Sequence, residues 1–173
     1  MDKGVRTVAF IILLIFAGCN SNAPSQSPTV AFEEMPKDLV IVLERGVCFG
    51  TCPDYKLTIM ADGSVEFEGR HFVKKTGAIK TSLPQEKVKQ IVAEFEGARF
   101  FTLKNSYVSE WDGCAEVATD NPMVKISITI KGNSKSIEHY HGCRGPLIPT
   151  ALTALENKID EIANTSQWLD RDN

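Results

Sequence analysis

V-K-I-S-I-T-I-K-G-N-S-K-S-I-E-H-Y, residues 124–140, sets Val124, Ile126, Ile128 and Ile130 against Lys125, Ser127 and Thr129, then turns toward Ser136 to Tyr140. Side chains alternate across a strand with period two, so this stretch reads as an antiparallel pair with one apolar and one polar face. A two-residue turn at Gly132-Asn133 pairs Ile126 with His139 and Val124 with His141, which predicts both histidines on the apolar face.

The same pattern recurs upstream. Tyr55, Leu57 and Ile59 alternate with Lys56, Thr58 and Met60, and Ala61-Asp62-Gly63 leads into Val65 and Phe67. A three-residue loop with Gly63 left-handed predicts Ile59 opposite Val65 and Leu57 opposite Phe67. Leu39 to Glu44 is apolar at both alternating positions and reads as a central strand covered on both sides; Ala78 to Leu83 reads as another strand.

Helical spacing appears twice. Val88, Ile91, Val92 and Phe95 predict an amphipathic helix over 84–96, with Ser82 and Gln85 as a capping box and Pro84 in the first turn. Ile148, Leu152, Leu155, Ile159 and Ile162 predict a second, opened by Pro146 and closing before Trp168. Phe100, Phe101 and Leu103 read as a short core segment. The expected fold class is α+β, with antiparallel sheet meanders and two amphipathic helices packed on one face.

Toward the N-terminus, Lys3 and Arg6 precede a wholly apolar run from Val8 to Phe16, and Ala17 and Gly18 lead to Cys19. This is a signal-peptide layout whose apolar run is too short to span a membrane. F-A-G-C at 16–19 resembles the lipobox of bacterial lipoproteins, which implies acylation of Cys19, palmitate included, and a lipid-anchored mature chain; Phe16 stands where that motif usually has Leu. The other reading is an ordinary secretory signal. Asn20 rather than Asp after the cysteine favours the outer over the inner membrane of the cell envelope. The expected organisation is a signal peptide over 1–18, Cys19 with a Ser-, Pro-, Asn- and Gln-rich tether over 19–37, one domain over 38–165 and a tail over 166–173.

The chain has 173 residues and a formal charge of -3; without residues 1–18 it keeps 17 basic and 21 acidic residues, which disfavours nucleic acid as a partner. Length and composition fit one globular domain.

Four cysteines follow Cys19. In an exported domain Cys48, Cys52, Cys114 and Cys143 read as disulfides, for which three connectivities exist. Cys48–Cys52 closes the tight Phe49-Gly50-Thr51 loop and leaves Cys114 for Cys143, a pairing worth about 3 to 4 kcal/mol for the longer closure and about 2 for the shorter. The longer closure would also tie down the polar loop 104–122.

C-F-G-T-C-P at 48–53 superficially resembles the C-x-x-x-C-P of copper-delivery proteins with a thioredoxin fold, so metal binding or thiol redox chemistry at Cys48 and Cys52 is the alternative. Against it, Pro53 leads into a strand rather than a helix. His139, His141 and Cys143, spaced by two, could add zinc or copper ligands, although histidines on an apolar face are more often satisfied core-edge residues. Glu110, Asp112, Glu116 and Asp120 offer oxygen ligands for calcium, but without the spacing of an EF-hand, so a solvated loop is the default reading. Nucleophile-elbow, phosphate-loop and H-E-x-x-H patterns do not occur, and no catalytic residue or cofactor is expected.

R-G-V-C-F-G-T-C-P-D-Y-K-L-T-I from Arg45, A-D-G-S-V-E-F-E-G after it and F-F-T-L-K from Phe100 resemble an uncharacterised bacterial family, a domain of unknown function often found in envelope lipoproteins. The likeness spans roughly 39–160, with C-F-G-x-C-P-x-Y its specific part. It implies the architecture and the location and carries no activity. The expected function is a membrane-tethered, noncatalytic domain with a binding or structural role, any envelope protein, glycan or small ligand being met near Phe49, Gly50 and Thr51.

Overall fold

The computed structural model describes Met1 and residues 34–169, so the rest of the expected signal peptide, Cys19, the expected tether as far as residue 33 and the last four residues of the expected tail lie outside the described residues. The elements run β1 (Val40–Arg45), β2 (Asp54–Met60), β3 (Ser64–His71), β4 (Gly77–Ser82), α1 (Gln85–Gly97), β5 (Ser106–Tyr107), β6 (Glu116–Val117), β7 (Met123–Ile130), β8 (Asn133–Tyr140), β9 (Cys143–Arg144), α2 (Thr150–Ala163) and α3 (Ser166–Leu169). Seven strands form one mixed but antiparallel-dominated sheet in the order β4-β3-β2-β1-β7-β8-β5, and β6 pairs with β9. Among the described residues no helix is long and apolar enough to cross a membrane.

Alternation decides which residues are inside. Leu57, Ile59, Val65, Phe67, Ile41, Leu43, Ile126, Ile128 and Ile137 are buried and join one cluster with Val88, Ile91, Val92 and Phe95 of α1 and Leu152, Leu155 and Ile159 of α2. Their neighbours along the strands emerge on the other face. There Glu68, Lys56, Glu44, Lys125 and Glu138 lie directly opposite one another on successive strands, so that charge alternates in sign across five of them. Opposite charges facing each other across strands support this register.

The β2–β3 hairpin has the expected loop. Gly63 lies at φ 86°, its amide donates to the Met60 carbonyl, and Leu57 faces Phe67 while Ile59 faces Val65. Any Cβ at Gly63 would run into the Leu83 carbonyl, so close approach as well as backbone conformation requires glycine.

Several expectations are corrected. β1 is central in the sheet but not covered on both sides, because Val40 is 37% exposed and Val42 only half-buried. The β7–β8 turn is Lys131-Gly132, both at positive φ, so Ile126 faces Ile137 and Val124 faces His139. The Asp38 carboxylate accepts both turn amides, at 3.0 and 2.6 Å, and a residue so far away in sequence selects this turn over Gly132-Asn133. The slip is by two residues, so His139 keeps the apolar face.

Ser82 ends β4 and caps nothing; Pro84 is the N-cap of α1, and Gln85 donates to the Ala61 carbonyl instead. α2 opens at Pro149 rather than Pro146, because the chain between them first turns back through the Ile148 amide to the Gly145 carbonyl. Phe100 is buried, but Phe101 is 47% exposed, since a 3-10 turn over Phe100–Thr102 separates the two rings. A parallel pair also forms, with Ser106 and Tyr107 alongside Glu138 and His139.

Both domain edges extend further than expected. Met35 packs on the core, and the Leu39 amide donates to the Pro36 carbonyl. Downstream, α3 brings the Trp168 ring against Phe67 at 4.7 Å between centroids, and its carbonyl accepts the Lys74 and Lys75 amides.

Candidate functional site

One transverse row of the sheet departs from the apolar pattern. Tyr55, Arg45, Val124 and His139 stand opposite one another on β2, β1, β7 and β8, and Tyr107 continues the row on β5. Over it α2 lays Glu156 and Asp160, four residues apart and therefore on one helix face. The Leu152, Leu155 and Ile159 stripe carries Glu156 inward, where it is 0% exposed.

Glu156 meets two histidines. Its Oε1 lies 2.8 Å from His139 Nδ1 and its Oε2 lies 2.8 Å from His141 Nε2. The imidazole rings are 4.8 Å apart, and the edge of His139 packs against Tyr107. Burial pushes the Glu156 carboxyl up, but the hydrogen bonds and charge from the two histidines together outweigh it and hold the group below its ordinary value. One ligand atom from each residue forms a set within 4.8 Å, the group among the described residues with the side chains to hold a metal ion.

Asp160 organises the other half. Its Oδ2 accepts from Arg45 Nε at 2.8 Å, and its Oδ1 accepts from the Tyr55 hydroxyl at 2.6 Å and the Thr165 hydroxyl at 2.9 Å. Arg45 also donates to Asn157. Burial and the Asp160 charge both push the Tyr55 phenol far up, so it stays a neutral donor. For Arg45 burial works against the charge, but attraction from Asp160, with further attraction from Glu156, keeps the guanidinium raised.

The cysteines pair as Cys48–Cys52 and Cys114–Cys143, with Cα atoms 5.6 and 5.1 Å apart. A cystine offers no thiolate, so Cys48, Cys52 and Cys143 as paired here bring no thiolate to His139 and His141; the side chain grouped with the two histidines is Glu156. Cys114–Cys143 joins the loop before β6 to β9 next to the histidines.

The acidic loop has a different role from the calcium reading. Asp112 Oδ2 accepts from the Val108 and Ser109 amides and from the Ser106 and Ser109 hydroxyls, which makes it the organiser of its own turn. Glu110, Glu116 and Asp120 are exposed around it. The disulfide loop projects into solvent: Phe49 is 87% exposed, Gly50 and Thr51 are exposed beside it, and the loop is held by the Phe49 amide on the Asp120 carbonyl. Trp111 and Leu147 are also exposed.

Sequence reading found His139 and His141 but missed Glu156, Arg45 and Asp160 as their surround. A signal existed. Glu156 falls four residues after Leu152 and three before Ile159, so the apolar stripe itself predicts an inward carboxylate.

No curated protein matches this chain. From Leu39, just before β1, to Ala163, the last residue of α2, residues 39–163 match the family model described as a domain of unknown function, DUF6438, and the chain belongs to that family.

Proposed function

We propose that this chain is a bacterial envelope lipoprotein, processed and acylated at Cys19, probing its surroundings with a noncatalytic binding domain on a short tether. F-A-G-C at 16–19, behind a basic and then apolar segment, supports the anchor. The binding reading rests on the Phe49 ring, 87% exposed at the tip of a loop closed by Cys48–Cys52. An aromatic side chain held out on a covalently closed loop loses little conformational freedom when it enters a pocket. An envelope protein, glycan or small ligand met at Phe49, Gly50 and Thr51 is the expected partner, and both helices packed against a single sheet face would serve as the rigid support.

Two measurements in cells test this. Radiolabelled palmitate should enter the wild-type protein and not Cys19→Ala; equal labelling of both sinks the anchor. A photoreactive residue at position 49 should give a discrete adduct in intact cells while one at Lys80 of β4 gives none, and the absence of an adduct at 49 sinks the binding reading.

A further inference from the structure

We propose that His139 Nδ1, His141 Nε2 and a carboxylate oxygen of Glu156 form a binding site for a divalent transition cation of the zinc class. The site goes beyond the lipoprotein reading and does not depend on it.

The donor set has the right chemistry. Imidazole nitrogens with one carboxylate are a zinc ligand set, and three protein ligands leave a fourth position for water or another donor. His139 lies near the end of β8, His141 in the turn just after it and Glu156 in the middle of α2, and the three ligand atoms lie within 4.8 Å of one another. Tetrahedral ligands about 2.1 Å from zinc stand about 3.4 Å apart. The two 2.8 Å nitrogen–oxygen contacts go to different carboxylate oxygens, so to reach that spacing they open by about half an ångström while the widest ligand pair, now within 4.8 Å, closes by up to about 1.4 Å through side-chain torsions.

Burial supplies the second argument. Glu156 is 0% exposed and the His139 side chain 3%, so both are held in place before any ion arrives. Arg45 pairs with Asp160, so the buried carboxylate of Glu156 is left to the two histidines alone. A divalent cation compensates that charge more fully than the hydrogen bonds now made.

Access is the third. The His141 side chain is 22% exposed, and a cavity of about 320 Å³ bordered by His139, His141, Arg144, Ile148, Thr150 and Thr153 opens beside the two rings. An ion can enter there, and its fourth ligand can come from solvent.

The test uses the full-length chain in detergent, without a histidine tag and stripped with chelator. Zinc chloride titrated calorimetrically should bind at one ion per chain, and cobalt should give the intense visible absorption of a tetrahedral site. His141→Ala, at a half-buried position, should raise the zinc Kd by more than the roughly 10- to 100-fold that loss of a supporting residue costs. Glu156→Gln should do likewise, with folding of each variant checked by circular dichroism. His71→Ala, the remaining histidine of the chain, should leave affinity unchanged. Absence of stoichiometric binding by the folded wild-type protein overturns the proposal, as does unchanged affinity in folded His141→Ala. Loss of binding in His71→Ala but not in His141→Ala overturns it too.

Discussion

Arg45 shows what a single side chain does in this fold. It holds Asp160 at 2.8 Å, reaches Asn157, and is 15% exposed, so its removal leaves a partly buried carboxylate with only hydroxyl donors. Arg45→Met keeps much of the stem and removes the charge. The expected outcome is a stability loss of about 2 to 4 kcal/mol, measured as a lower urea midpoint at unchanged slope. The residue scale is also where sequence reading fell short. Apolar residues declare themselves by period, so Leu152, Leu155 and Ile159 were legible, and the same period places Glu156 inward without telling which side chains it meets. Those partners lie 15 and 17 residues away on another element, and only the fold brings them together.

At the scale of elements, local chemistry was legible and long-range chemistry was not. Ala61-Asp62-Gly63 carries its own turn geometry, and the β2–β3 register followed from it. Lys131-Gly132-Asn133 leaves two turns open, and Asp38 chooses between them from 93 residues away. This gives a test by pH. Hydrogen bonds from the Gly132 and Lys131 amides outweigh the opposing effect of desolvation and hold the Asp38 carboxyl below its ordinary value. A depressed folded pKa means that the stabilisation is fully present above the unfolded value and is lost as pH falls through the folded one. Protection of the Lys131 and Gly132 amides from hydrogen exchange should therefore weaken on acidification below about pH 4. In Asp38→Ala protection should be low throughout, with no such acid step; an unchanged step in that variant would assign it to another group.

Over the whole molecule, the sheet-and-helix plan was legible because strand and helix periods differ, while its edges were not. Trp168 lies beyond the helical periodicity, and nothing in its own neighbourhood announces that its ring reaches Phe67. A chain ending at Thr165 should be less stable by about 3 to 5 kcal/mol, read from thermal or urea unfolding, because a buried indole and the acceptor for two backbone amides leave together. The two ends of β1 also differ in what they carry. The chain comes in at Leu39, beside the hairpin turns at 61–63 and 131–132, whereas Arg45, the histidine–glutamate cluster and the Cys48–Cys52 loop lie at the far end of a strand about 20 Å long. Such a molecule is polar in the sense of having a proximal and a distal pole: the turns cluster at the pole where the chain enters the sheet, and the cluster and the disulfide loop occupy the opposite one.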